Sequence, residues 1–352
     1  MAFLHFENIL IKGVAACVPS AVEENREIAN IPAADLEKLI KTTGVERRHV
    51  ISPGTCTSDL CIRAAEQLIK ELGWDKGEIT ALIFVSQTPD FILPATSCIL
   101  QNKLGLSTDC LTLDLSLGCS GYIYGLSAIA GYMQSGMVKK AILLVGDTSS
   151  MTCSREDKST YPLFGDAGTA TALEYVPGAS GLQFHLGSDG SGFESIIIPD
   201  GGYRNRFNQQ SLQANEISEG ISRNNLQLAL DGMDVFSFGI SKAPQTVNAL
   251  LGQFAIDKEQ ISYFYFHQAN LMMNERIRKK LQIPEDRAPL SLKDFGNTSS
   301  ASIPLTMVTA TGEGLRNGRH TLVACGFGVG LSWGSLACET DNLIIPNLIY
   351  HG

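Results

Sequence analysis

Two segments of the chain recur at one spacing, and this recurrence limits the fold more than any other feature of the sequence. Ile79-Thr-Ala-Leu-Ile-Phe-Val-Ser-Gln87 is an apolar run of strand character with a polar end, and Ile261-Ser-Tyr-Phe-Tyr-Phe-His-Gln268 is a second run of the same kind. Gly136-Met-Val-Lys-Lys-Ala-Ile-Leu-Leu-Val-Gly146 is echoed by Gly318-Arg-His-Thr-Leu-Val-Ala-Cys-Gly326, and both pairs lie 182 residues apart. A chain of 352 residues has room for about two domains or one large duplicated one. The shared offset points to two related halves.

Short apolar strands alternate with helical patterns in each half. Ser58 to Leu72 repeats apolar residues at helical spacing and stops at Gly73. Strand 79–86, helix 95–104 after Pro94, strand 111–117, helix 120–134 and strand 140–146 follow. The second half reads as helix 233–252, strand 261–267, helices 270–281 and 300–315, and strands 320–326 and 331–338. This alternation calls for mainly parallel sheets covered by helices. Residues 176–232 are rich in Gly, Ser, Asn and Gln, with little periodicity, and read as strands and loops that cross between the halves and partly cover a site. The expected organisation is an N-terminal half over 1–175, a connecting segment over 176–232 and a C-terminal half over 233–352. Packing the helices of two α/β halves together would give five layers.

Composition narrows the function. A hydrophobic fraction of 44% is enough for a sizeable core, while Lys+Arg 27 against Asp+Glu 36 leaves a net charge of −9. That balance argues against general binding to nucleic acid or anionic membrane, which needs a positive surface. None of the nine Cys forms a Cys-x-x-Cys pair, so neither a zinc site nor a redox motif is signalled. Residues 1–16 contain Glu7 and no long apolar core, unlike a signal peptide, and no stretch approaches the ~20 apolar residues of a membrane span. The expectation is a soluble, cytoplasmic protein.

Leu111-Thr-Leu-Asp-Leu-Ser-Leu117 runs into Gly118-Cys119-Ser120-Gly121, and a helical pattern follows. The small residues permit a sharp strand-to-helix turn that leaves Cys119 at the helix N-terminus. Unpaired N–H groups and the positive end of the helix dipole there stabilise a thiolate. His267 falls at the carboxyl end of an apolar strand, where open α/β sheets hold their ligands. Phe295-Gly-Asn297-Thr-Ser-Ser-Ala-Ser-Ile-Pro304 places an Asn in a tight turn before a helix of small residues. An inert buried Cys, a structural His and an ordinary Asn turn are each common. The three in this order and strand context point to one catalytic set.

These residues carry a resemblance across essentially the whole chain to the β-ketoacyl-acyl carrier protein synthase III family of the thiolase superfamily. The matching segments are Thr43-Gly44-Val45 to Arg48-His49, Thr88-Pro89-Asp90 with Pro94, and Cys119-Ser-Gly121. Phe164-Gly-Asp-Ala-Gly168, His267-Gln-Ala-Asn270, Gly296-Asn297-Thr298-Ser299 with Ala301 to Pro304, and Gly328 to Gly334 including Trp333 complete them. The resemblance implies a duplicated thiolase-like αβαβα fold, a homodimer, and a Cys119, His267, Asn297 triad without a metal or other cofactor. It also implies an oxyanion hole from the backbone of Cys119 and Val329. The acyl group of a thioester would pass to Cys119, and decarboxylation of a malonyl thioester, carried as malonyl-acyl carrier protein, would supply the carbanion that attacks it. Phe91 and Leu93 would approach the acyl pocket of the opposite subunit.

The chain departs from the family where coenzyme A is bound. Lys38 and Thr42 replace a Trp–Arg pair that holds the adenine, Lys158 replaces a further Arg, and Met272 replaces a basic residue after the His. Acetyl-CoA priming is therefore not expected to be retained in its ordinary form. Arg276, Lys279 and Lys280, with Arg278, form a basic cluster on the helix beyond His267 that suits an acidic acyl carrier protein. Other readings are an acyltransferase that passes the Cys119 acyl group to a hydroxyl or amine, and a non-catalytic partner subunit. Two enolate donors favour decarboxylation over the former, and an intact triad counts against the latter.

Overall fold

Two mixed sheets organise the molecule in a computed structural model that describes residues 2–29 and 31–352. The first sheet contains β2 (Ile9–Pro19), β3 (Ile79–Val85), β4 (Leu111–Leu115), β5 (Lys140–Thr148), β6 (Asp166–Tyr175) and β11 (Ile349–His351). The second contains β1 (Ala2–Phe6), β7 (Leu182–Ser188), β8 (Tyr263–Phe266), β9 (Arg319–Gly328) and β10 (Ser332–Asp341). The strand order is β11-β2-β6-β5-β3-β4 in the first sheet and β1-β7-β10-β9-β8 in the second.

The repeat seen in the sequence is a repeat of place. β3 lies parallel to β5 in the first sheet, and β8 lies parallel to β9 in the second. β5 and β9 are each followed by an antiparallel neighbour, β6 and β10, and the next strand over is β2 or β7. β4 has no counterpart beyond β8. Instead, the chain there forms the short helix Leu292–Phe295 and the turn that carries Asn297.

Sheet membership cuts across the halves expected from the sequence. β1 pairs with β7 in the second sheet, β11 pairs with β2 in the first, and β7 belongs to the second sheet rather than to a connecting segment. The physical reason is edge pairing. Each terminal strand satisfies its backbone groups on an open edge of the other half. The rest of the connecting segment forms short two-stranded pieces, including Ile196–Ile197 with Ala229–Leu230 and Asn215–Ser218 with Ile221–Arg223.

Helices α2 (Thr57–Leu72) and α3 (Thr96–Leu104) cover the outer face of the first sheet, and α5 (Gly232–Gln253) and α6 (Leu271–Lys280) cover that of the second. Between the sheets lie α4 (Gly121–Met133) and α7 (Ser302–Leu315), while α1 (Ala33–Thr43) sits outside this stack. Strand periodicity explains the layering. Ile83, Val85, Leu143 and Val145 face the central helices, whereas the alternating residues Leu82, Phe84, Ile142 and Leu144 face α2 and α3. On β9, Leu322 and Ala324 face inward, and Val323, Cys325 and Phe327 face α5 and α6. The result is the thiolase-like five-layer αβαβα arrangement. All nine cysteines are free thiols. Among the described residues no helix is long and apolar enough to cross a membrane.

Candidate active site

The carboxyl ends of strands from both sheets meet at one cavity of about 130 Å³, and Cys119, His267 and Asn297 all line it. Cys119 sits in the turn between β4 and α4, two residues before the first residue of the helix. Its surroundings are tight. A Cβ added at Gly328 would lie 2.6 Å from the Cys119 Cβ and 2.7 Å from its sulfur, so this position admits no side chain without displacement. Ser120 Oγ meets Ser332 Oγ at 2.7 Å, and Ser332 Oγ donates to the Val329 carbonyl at 2.8 Å. This chain of hydroxyls holds the Val329 turn of the second half over Cys119 in the first.

Burial dominates the thiol. It pushes the Cys119 pKa up to about 11; backbone hydrogen bonding at Val329 works against it, and the nearby Asp147 charge adds to it. The sequence expectation that a helix N-terminus stabilises the thiolate is thus outweighed in the closed cavity. The helix end acts on a sulfur that has lost its water, and desolvation of the anion costs more.

His267 follows β8 and is 2% exposed. Burial also holds it down, to a pKa of about 3, with a hydrogen bond at Ser299 pulling the other way. The imidazole is therefore neutral across the physiological range. Its Nδ1 lies 2.8 Å from Ser302 Oγ, and Ser302 Oγ accepts the Gln268 N–H at 3.3 Å. Because a hydroxyl both donates and accepts, Ser302 can hold Nδ1 in either tautomer.

Asn297 is fixed by its backbone to the first half. Its N–H donates to the Leu163 carbonyl at 2.9 Å, and its carbonyl accepts the Gly165 N–H at 3.1 Å. Gly296 precedes it with φ +65°, and a Cβ there would lie 2.6 Å from the Leu163 carbonyl oxygen, so glycine is required by both conformation and space. Asn297 Oδ1 accepts the Ser299 N–H at 2.9 Å, which leaves the Nδ2 hydrogens as the donors of the side chain.

The cavity also holds residues that sequence reasoning did not reach. Asp147 lines it at the end of β5, and Ser299 adopts φ +49°, a strained value for a residue with a side chain. An Asp after the apolar strand and before Thr-Ser-Ser was visible in the sequence, but its partners come from two distant segments, Ser86-Gln87 and the Ser299-Ser300 turn. Ile196, Ile198, Leu228 and Leu230 give the cavity an apolar wall from the connecting segment, with Met273 contributed by α6.

Phe91 and Leu93 are not among the lining residues of this chain's cavity; they are 60% and 75% exposed on the loop after β3, with Ile92 at 81% between them. Arg276, Lys279 and Lys280 are exposed on α6, whose N-cap Asn270 lines the cavity. Arg278 instead turns back to chelate Glu275 with two contacts of 2.9 and 2.7 Å. Lys158 lies 3.6 Å from Asp35 in a surface groove that Glu156, Glu216 and Glu219 also line.

Residues 113–190 match the family described as 3-oxoacyl-[acyl-carrier-protein (ACP)] synthase III, and residues 251–340 match its C-terminal counterpart. The chain is 32% identical over 330 residues to the beta-ketoacyl-[acyl-carrier-protein] synthase III of Streptococcus agalactiae, covering 93% of this chain and 97% of the relative. Among solved structures, a 3-oxoacyl-(acyl-carrier protein) synthase from Burkholderia xenovorans LB400 superposes with a TM-score of 0.94 at 39% identity, covering 99% of each chain. The 3-oxoacyl-(acyl carrier protein) synthase III of Pseudomonas aeruginosa PAO1 gives a TM-score of 0.81 at 28% identity, covering 96% of this chain and 99% of that one. With the shared cavity and the five-layer fold, these matches lead to one assignment: the chain is a condensing acyltransferase and belongs to the 3-oxoacyl-[acyl-carrier-protein] synthase III family.

Proposed function

We propose that Cys119 takes the acyl group of a thioester and that His267 and Asn297 then direct decarboxylative condensation with malonyl-carrier protein. The observation that carries this reading is the convergence of thiol, neutral imidazole and amide on one cavity. In the first step, the Cys119 sulfur bonds to the acyl carbon and the thioester C–S bond breaks. The thiol proton leaves with the departing thiolate, by way of His267 Nε2, since His267 is the one basic side chain among the described residues lining the cavity. The Cys119 and Val329 backbone N–H groups are the proposed donors to the tetrahedral oxyanion.

In the second step, the malonyl carboxylate departs as carbon dioxide and leaves an enolate oxygen. His267 in its Nε2–H tautomer and Asn297 Nδ2–H donate to it while Ser302 Oγ donates to Nδ1; in the first step the other tautomer serves, with Nδ1–H facing Ser302 Oγ and Nε2 free to accept the thiol proton. The carbanion attacks the acyl-Cys carbonyl, the C–S bond breaks to leave the Cys119 thiolate, the 3-oxoacyl thioester is released, and the thiolate takes up a proton from solvent to restore the thiol. These steps balance without a metal or redox cofactor.

The donor is proposed to arrive on a carrier protein. Four carboxylates against Lys158 in the groove beside α1 would repel the phosphates of coenzyme A. α6 supports the carrier reading, because it leads from the cavity at Asn270 and Met273 to the exposed cations Arg276, Lys279 and Lys280. The exposed Phe91-Ile92-Leu93 loop supports a homodimer in which Phe91 and Leu93 close the partner's acyl pocket.

Intact-mass spectrometry after incubation with acyl-CoA and acyl-carrier thioesters, followed by malonyl-carrier protein, tests the reading. The expected result is an acyl adduct on Cys119, formed faster from the carrier thioester and consumed as 3-oxoacyl product and carbon dioxide appear. Condensation by a Cys119→Ala variant would remove the nucleophile from the scheme, and an acylated hydroxyl or amine product without carbon dioxide would replace condensation with simple transfer.

A further inference from the structure

Asp147 is a buried carboxylate that the condensation scheme does not use. It is 1% exposed, yet it lines the active-site cavity at the end of β5. One oxygen accepts the Gln87 N–H at 2.7 Å and the Ser86 hydroxyl at 3.2 Å. The other accepts the Ser300 hydroxyl at 2.5 Å and the Ser300 N–H at 3.2 Å. With two donors on each oxygen and no access to water, the group is poorly placed to take a proton from a substrate. Its geometry suits a fastening.

The elements it joins are informative. Ser86 and Gln87 directly follow β3, and Asp147 lies on β5, two strands paired in the sheet of the first half. Ser300 belongs to the turn that opens α7, in the layer shared with the second half. Three contacts to the reacting groups leave that turn: Asn297 itself, Ser299 beside the Cys119 sulfur, and Ser302 on His267 Nδ1. Ser299 at φ +49° needs its neighbours to hold it there, and two of the four Asp147 contacts fall on the next residue, Ser300, while the Ser299 side chain also hydrogen-bonds the carboxylate.

We propose that Asp147 is a positioning residue for the condensation, its carboxylate fastening the Asn297–Ser302 turn to the Cys119 half so that sulfur, imidazole and amide keep their facing geometry. This rests on the condensation reading above. The same charge bears on the thiol, because Asp147, His267 and Cys119 are the ionisable side chains among the described residues lining the cavity. His267 is neutral, so Asp147, whose pKa burial raises while the hydrogen bonds from Ser300, Gln87 and Ser299 pull it back down, is the charge the thiolate meets when that carboxyl is ionised.

The test uses the full-length protein and two readouts. Asp147→Asn keeps the side-chain size, removes the charge and turns one acceptor into a donor facing N–H or O–H groups. The expected result is a condensation rate reduced at least tenfold relative to Cys119 self-acylation, and an iodoacetamide alkylation profile of Cys119 shifted down by about one pH unit. Ser300→Ala leaves the charge in place and removes one tie, so the ratio of condensation to self-acylation should fall several-fold there too. If Asp147→Asn does not fold, Ser300→Ala decides alone by that ratio. An unchanged ratio in the folded variants, or an unshifted alkylation profile in Asp147→Asn, would overturn the proposal. Alkylation needs no acyl substrate, so its profile still reads the Asp147 charge if the condensation scheme itself fails.

Discussion

At the scale of single residues, the site is a neutral one assembled by burial. The thiol is held up to about 11 and the imidazole down to about 3, so neither carries charge before substrate enters. Neutral His267 has a consequence for stability. In the folded protein it binds its proton at lower pH than in the unfolded chain, where the ordinary value is about 6.5. Its contribution is complete above about pH 6.5 and is drawn down as the pH falls toward 3. Urea unfolding midpoints from pH 7 to pH 4 should therefore decline more steeply for the wild type than for His267→Asn, and parallel curves would contradict the shift. Asn297→Ala should reduce condensation by about 10²- to 10³-fold while Cys119 still self-acylates, since the amide is needed at the enolate. Rapid-quench measurement of acyl-Cys formation and carbon dioxide release separates the two steps, and equal losses would count against this role.

At the scale of elements, strand ends and helix starts do the placing. Cys119 lies at a β4-to-α4 turn, His267 follows β8, and Asn297 precedes α7. The β9–β10 turn closes over the sulfur at a distance that only glycine permits, so Gly328→Ala should slow Cys119 self-acylation at least tenfold with the far-UV circular dichroism unchanged. Acylation at the wild-type rate would mean that the turn shifts without cost. On α6, Glu275 sits within 3.4 Å of Lys279, which weakens that cation as a docking charge, whereas Arg276 is exposed without an ion pair among the described residues. Reversing Arg276 and Lys279 to Glu should raise KM for a carrier-bound acyl donor about tenfold or more and leave a small thioester nearly unaffected. A matching loss on both donors would reject docking at this helix. The boundaries of these elements were largely legible in the sequence, since α2, α4, α5, β3 and β5 follow their own apolar periodicity. The terminal strands β1 and β11 were not, because edge pairing with a distant partner leaves little local pattern.

For the whole molecule, duplication puts two sheets back to back with α4 and α7 between them, and the cavity opens where the halves meet. Its contents come from both: Cys119 and Asp147 from the first, His267 and Val329 from the second, with Asn297 pinned to Leu163 and Gly165 across the join. The apolar loop Phe91-Ile92-Leu93 stands clear of this body. For the proposed homodimer, Leu93→Asp should shift sedimentation velocity from a dimer to a monomer coefficient, and a dimer coefficient left unaltered would exclude the loop from that interface.

The sequence by itself pointed to the α/β class and the duplicated layout and singled out Cys119, His267 and Asn297, which the fold then brings to one cavity, because strand periodicity, small-residue turns and motif order are local properties of the chain. Tertiary structure decided the charge state of the cavity and the company each group keeps. Desolvation depends on which distant atoms exclude water, and Asp147 gains its meaning from Ser86, Gln87 and Ser300, which only folding brings to it.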